Sequence, residues 1–146
     1  DTLSKGQFEL VTNEIESGMI ERVIDESGTG LSPHDTLVYS IKGELAYFNA
    51  NAHLSRLEKY SLEAKNIIFR LRELHFIDVD GLAAFDEMVT ALEKQGKRVF
   101  LSGISAPIKY YLEHGSITYQ ALLKQQSIFD KTQQALRSLG YTIKQH

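Results

Sequence analysis

The residues whose types and spacing come nearest to chemistry lie in FIDVDGL, residues 76 to 82, where Asp78, Val79, Asp80 and Gly81 follow an apolar run and open a long stretch of helical periodicity. Strand ends that run into helix N-termini are where open α/β sheets hold ligands. Two carboxylates at such a place can divide general-acid and general-base work, provided burial pushes their pKa values apart and a nucleophile or water-holding group stands near. The sequence supplies no such companion. Metal binding would require further ligands, and His75, three residues before Asp78, sits on a strand end that points it elsewhere, so no metal is expected. Capping needs nothing more than what is present. An aspartate at a helix start accepts orphan backbone N–H groups and meets the positive helix end, worth about 0.5–2 kcal/mol. That is the expected main role of at least one of the pair.

Other candidates carry less. Gly28 and Gly30 in GTGLSP have no third glycine, no strong preceding strand and no helix opening on them, so this is a loop and not a dinucleotide cradle. His53, His75 and His114 could be imagined around Ser102 or Ser105 as a hydrolase, but the chain contains no G-x-S-x-G motif. Catalysis is not expected. Tyr110 and Tyr111 read as one packed ring and one surface ring, because no arginine cluster accompanies them as it would on a base-stacking platform. Lys97 and Arg98 read as a short, solvated basic turn.

The elements that position these residues follow from apolar periodicity. Residues 1–35 are undecided: FELV alternates weakly, while Ile15, Met19, Ile20, Val23 and Ile24 can mark a helix face, and residues 25–35 gather glycine, serine and proline as a connector. The compact domain is expected over 36–146. TLVYSI predicts a strand, Lys42-Gly43-Glu44 a tight turn, and LAYF a second strand pairing back as an opening hairpin. A helix follows, capped by Asn49 or Asn51, with Leu54 and Leu57 inward and Tyr60 nearby. NIIFRL predicts a central strand. Leu82, Phe85, Met88, Val89 and Leu92 then share one helix face, Asp86, Glu87, Glu93 and Lys94 take the other, and Gly96 suits the position after the end. RVFLSGI predicts a strand, and Ser105 with Pro107 starts a helix that turns Ile108, Tyr111 and Leu112 inward and stops at Gly115. SIF is a short last strand, and Asp130 with Gln133 resembles a capping box for a helix through Leu136 and Leu139. Alternating strands and helices imply right-handed crossovers and an α/β fold with a mixed, mostly parallel sheet.

Composition bounds the function. A chain of 146 residues, 42% hydrophobic, is enough for one core and too short for two ordinary domains. Sixteen basic against 19 acidic residues leave a net charge of −3 and no field to hold a polyanion, so no nucleic-acid partner is expected. The absence of cysteine removes disulfides, thiolate chemistry and cysteine zinc sites. No apolar run reaches the roughly 20 residues that span a bilayer, and the start resembles no signal peptide. Beginning at Asp1, the sequence is expected to be a piece of a longer polypeptide.

Three segments carry a family resemblance. GELAYFNAN (43–51), HFIDVDGLAAFDEMVTALEKQGKRVFLSGI (75–104) and SIFDKTQQAL (127–136) resemble, in that order and spacing, the STAS domain shared by SulP-type anion transporters and anti-sigma-factor antagonists. The first segment is similar to the transporter branch. The resemblance implies a cytoplasmic, C-terminal, non-catalytic regulatory domain of a sulfate or related anion permease, on the cytoplasmic face of the membrane. Residues 1–35 would then connect it to a preceding membrane domain.

Implied partners are the transmembrane domain of the same transporter, a second copy of the domain, or a carrier protein. No cofactor is expected; nucleotide binding occurs in some family members, but no motif here supports it. In antagonists the loop matching residues 78–81 reads D-S-S-G or D-S-T-G, and its third residue is a phosphorylated serine or threonine. Here that position is Asp80, which has no hydroxyl and carries about one negative charge against the roughly −1.5 to −2 of a phosphate. Residues 78–81 are therefore expected to be a docking loop without a phospho-switch. The alternative from the same family is a free-standing antagonist-like protein that docks on a kinase-like partner.

Overall fold

The computed structural model describes residues 8–15, 18–25 and 35–141. The Gly28–Pro33 loop expected from sequence lies outside the described residues.

β-branched and aromatic residues concentrate in five- and six-residue runs, and these form the centre of the sheet. β3 (Thr36–Ile41), β5 (Asn66–Arg70) and β7 (Arg98–Ser102) pair in parallel, with Leu37 opposite Ile67 and Ile67 opposite Val99. β8 (Ile128–Phe129) adds a short parallel edge to β7. On the other side β2 (Gly18–Asp25) pairs antiparallel with β3, and β1 (Phe8–Ile15) antiparallel with β2. The order is β1-β2-β3-β5-β7-β8. Of the two readings open for residues 8–24, the strand is the one adopted, and the sheet thus extends into the stretch read as a connector.

The expected pairing of LAYF back onto the first strand is not formed. Gly43, at φ +76°, kinks the chain instead of reversing it, and its N–H donates to the Glu73 carbonyl at 2.8 Å. The chain then continues as β4 (Gly43–Leu45), parallel to β6 (Leu74–Ile77) in a separate two-stranded sheet. The antiparallel part of the mixed sheet is supplied by β1 and β2.

Strand alternation sends side chains to two cores. Leu37, Tyr39, Ile41, Ile67, Phe69, Val99 and Leu101 pack under four helices: α1 (Ala50–Tyr60), α2 (Val79–Lys94), α3 (Ala106–Gly115) and α4 (Ile117–Lys124). Val38, Ile68 and Phe100 face the other way, onto Ala135 and Leu136 of α5 (Thr132–Ser138) and onto Tyr141. Each fully buried large apolar side chain contributes about 1.5–3 kcal/mol.

Several local expectations are corrected. Gly115 ends α3, but the chain starts α4 two residues later; Ser116 Oγ accepts from Tyr119 N–H at 3.1 Å, and Tyr119 and Leu122 fill the core. Asp86, on the polar side of α2, is half-buried and engaged by a neighbouring helix. Its carboxylate accepts from the Ser116 and Thr118 hydroxyls at 2.6 Å each and from Thr118 N–H at 3.2 Å, fastening the start of α4 to α2. Tyr110 and Tyr111 are both largely exposed and touch edge-on, so neither is a packed ring. The last helix starts one residue later than expected: Gln134 Oε1, not Gln133, accepts from the backbone, at Lys131 N–H. Lys97 is no solvated turn residue, because its ammonium donates to the carbonyls of Ser61 and Ala64 at 2.8 and 2.6 Å. Partial burial pulls its pKa below the usual lysine value.

Candidate docking loop at the start of α2

β6 ends at Ile77 and α2 begins at Val79, so Asp78 stands at the hinge with extended backbone and serves as N-cap. Its Oδ1 accepts from Gly81 N–H at 2.7 Å, the usual reach from the cap to the third helical residue. Its Oδ2 accepts from Tyr47 N–H at 3.1 Å, while its own N–H donates to the Leu45 carbonyl at 3.3 Å. One side chain thus caps α2 and holds the segment leaving β4. The capping role expected of one aspartate falls to Asp78.

Gly81 is buried for a different reason. A Cβ at this position would lie 1.9 Å from the Leu45 carbonyl oxygen, 2.7 Å from its carbonyl carbon and 2.9 Å from Ile77 Cγ1. The first turn of α2 therefore rests directly on the β4 backbone, and only glycine permits that approach. Asn49 completes the same corner: its Oδ1 accepts from Ala46 N–H at 2.9 Å, and its Nδ2 donates to the Glu44 carbonyl at 2.8 Å.

This framework holds an exposed surface in place. Val79 is 80% exposed, Tyr47 73%, Phe48 59% and Phe76 49%; the Tyr47 and Phe48 rings touch edge-on at 5.5 Å. Asp80, also exposed, lies in the first turn of α2 beside Val79. Apolar side chains with a carboxylate among them, on a rigid corner, suit contact with another macromolecule. The arrangement offers no paired acid and base. Asp78 is committed to backbone N–H groups and Asp80 points to solvent.

The other sequence candidates are dispersed. His53 is buried and shares a 2.6 Å hydrogen bond with the Tyr39 hydroxyl; His114 bonds the Tyr110 carbonyl; Ser102 pairs with Thr132. Among the described residues, the hydrogen-bond partner of the Ser102 hydroxyl is Thr132 and not His53, His75 or His114. Among the described residues no group of three or more His, Asp or Glu could hold a metal ion, and no helix is long and apolar enough to cross a membrane.

Residues 31–135 match the STAS domain family. The chain belongs to that family. Among solved structures, this STAS domain is similar to a sulfate transporter family protein from Wolinella succinogenes, with 26% identity, 74% of this chain and 87% of that chain covered, and a TM-score of 0.63. It is also similar to the SulP transporter STAS domain from Vibrio cholerae (22% identity, 77% and 86% covered, TM-score 0.62). The anti-sigma factor antagonist SpoIIAA in its unphosphorylated form shares the fold at 14% identity, with 92% and 99% covered and a TM-score of 0.59. A comparison with curated sequences gave no match.

Phe76 belongs to the FIDVDGL stretch itself, whereas Tyr47 and Phe48, in GELAYFNAN, are not marked by sequence as part of the site. Their signal is weak, because an aromatic residue at a strand end reads as core until the strand's partner is known.

Proposed function

We propose that this STAS domain is the cytoplasmic, C-terminal regulatory domain of a SulP-type sulfate or related anion permease, and that it acts without catalysis by docking on the membrane domain of the same transporter. The observation that carries the reading is the 26% identity, over most of both chains, to a sulfate transporter family protein. The contact surface is the corner of Val79, Asp80, Tyr47, Phe48 and Phe76, with Asp78 and Gly81 as its internal supports. Asp80 supplies a permanent charge where antagonists have a hydroxyl, which favours constitutive contact over a phosphorylation cycle. Residues 1–35 belong, in this reading, to the passage from the membrane part, their strands adding an antiparallel extension to the sheet.

The test is sulfate uptake by membrane vesicles containing the complete gene product. Val79→Glu places a second carboxylate in the apolar patch and is expected to change the uptake rate while leaving the domain folded. A gene product without a membrane-embedded part, or uptake identical in the variant and its parent, sinks the proposal.

A further inference from the structure

On the face of the sheet covered by α5, register aligns Ser40 of β3, Arg70 of β5 and Ser102 of β7 at the carboxyl ends of three adjacent parallel strands. Between these strand ends and the first turn of α5 lies a cavity of about 300 Å³, at the lower end of the range for small-molecule sites. Arg70, Arg72 and Lys131 line it, with Asp130 and Thr132, and Gly103 forms part of the wall. A Cβ on Gly103 would meet Arg72 Cβ at 3.2 Å, and its φ of +71° disfavours any other residue, so the wall is kept thin beside Arg72.

Three cationic side chains face one carboxylate here, and among the described residues none of the three cations has a carboxylate within ion-pair distance. In a chain of net negative charge this concentration is local. Next to Arg70 in register, the buried Ser40 hydroxyl has no hydrogen-bond partner. Ser102 and Thr132 share a 2.8 Å hydroxyl bond, leaving one O–H free to be redirected toward a ligand. Guanidinium forks recognise tetrahedral oxyanions through paired N–H donors, and lysine adds a point charge. Carboxyl ends of parallel strands are also where α/β sheets bind small molecules.

We propose that this cavity binds a phosphoryl or equivalent tetrahedral oxyanion group, carried by a molecule small enough for about 300 Å³, with Arg70, Arg72 and Lys131 as its ligands. The site shares no residue with the Asp78–Gly81 corner and does not depend on the transporter reading. Asp130 weakens a bare anion and favours one whose remaining part carries hydroxyl donors.

Calorimetric titration of the 146-residue chain at low salt, with inorganic phosphate in one arm and ribose 5-phosphate in the other, tests it. Binding in either arm is expected to weaken about tenfold or more in Arg72→Gln and in Lys131→Gln, and to fall as salt rises. Asp130→Asn is expected to tighten inorganic phosphate. Heat in the first arm alone assigns a free oxyanion, and tighter binding in the second assigns a phosphomonoester. Both substituted side chains are exposed, and unchanged circular dichroism shows that the variants fold. Absence of binding in both arms up to about 10 mM, or binding that neither substitution changes, overturns the proposal.

Discussion

Gly81→Ala separates two physical accounts of the α2 start by the sign of its effect. In a helix that merely contains a glycine, alanine stabilises by up to about 1 kcal/mol, because it loses less backbone entropy. In this structure the added methyl would sit 1.9 Å from the Leu45 carbonyl oxygen and 2.7 Å from its carbonyl carbon, far inside contact distance. Neither atom belongs to a flexible side chain. Relief requires moving β4 away from α2, which pulls on the Asp78 N–H bond to the same carbonyl and on the Asp78 bond to Tyr47 N–H. Overpacking typically costs 1–3 kcal/mol, and displacement of backbone adds to it, so a net loss of at least about 2 kcal/mol is expected. Urea unfolding followed by circular dichroism reads this as a lower midpoint with an unchanged slope. A midpoint equal to or above the parent's refutes the close approach, and with it the argument that Gly81 is there for contact.

Three further outcomes follow from the same geometry. Asp86→Ala strips two hydroxyls and two backbone N–H groups of their shared acceptor at the start of α4 and is expected to cost about 2 kcal/mol by urea unfolding; a change below about 0.5 kcal/mol contradicts the fastening role. Burial pushes the Tyr39 phenol up to about 12, with Arg56 pulling it back in part. Between about pH 10 and 12 the unfolded chain ionises this phenol and the folded chain does not, so unfolding releases a proton and stability falls as pH rises, by about 2–3 kcal/mol in all. Subtracting the same pH series for Tyr39→Phe isolates that slope, and identical slopes refute it. Asp80→Ser exchanges an exposed side chain and is expected to move stability by less than about 0.5 kcal/mol; a larger loss in urea unfolding would mean that Asp80 supports the fold.

Much of the fold is written locally. The strands at 36–41, 66–70 and 98–102, and the helix from Val79, follow from short β-branched runs and an uninterrupted 3.6-residue period. So does the cap, since an aspartate three residues before a buried glycine is visible in FIDVDGL. What was not legible depends on partners far along the chain. Gly43 reads as a reversal, yet a positive φ serves a kink equally well, and only the pairing of β4 with β6 some 30 residues later decides between them. α4 is hidden because its N-terminus is satisfied partly by Asp86, 30 residues away on another helix. The basic cavity is only half visible locally: Arg70 and Arg72 stand two residues apart, but Lys131 joins them through the register of β5, β7 and β8.

In the proposed arrangement the corner around Val79 rests on the membrane domain of its own polypeptide. A photo-crosslinking amino acid at position 79 in the complete gene product, irradiated in native membranes, tests it most directly. A crosslink within one polypeptide, mapping to its membrane-embedded part, is the expected result. A crosslink only to a separate protein, or none, would contradict the account.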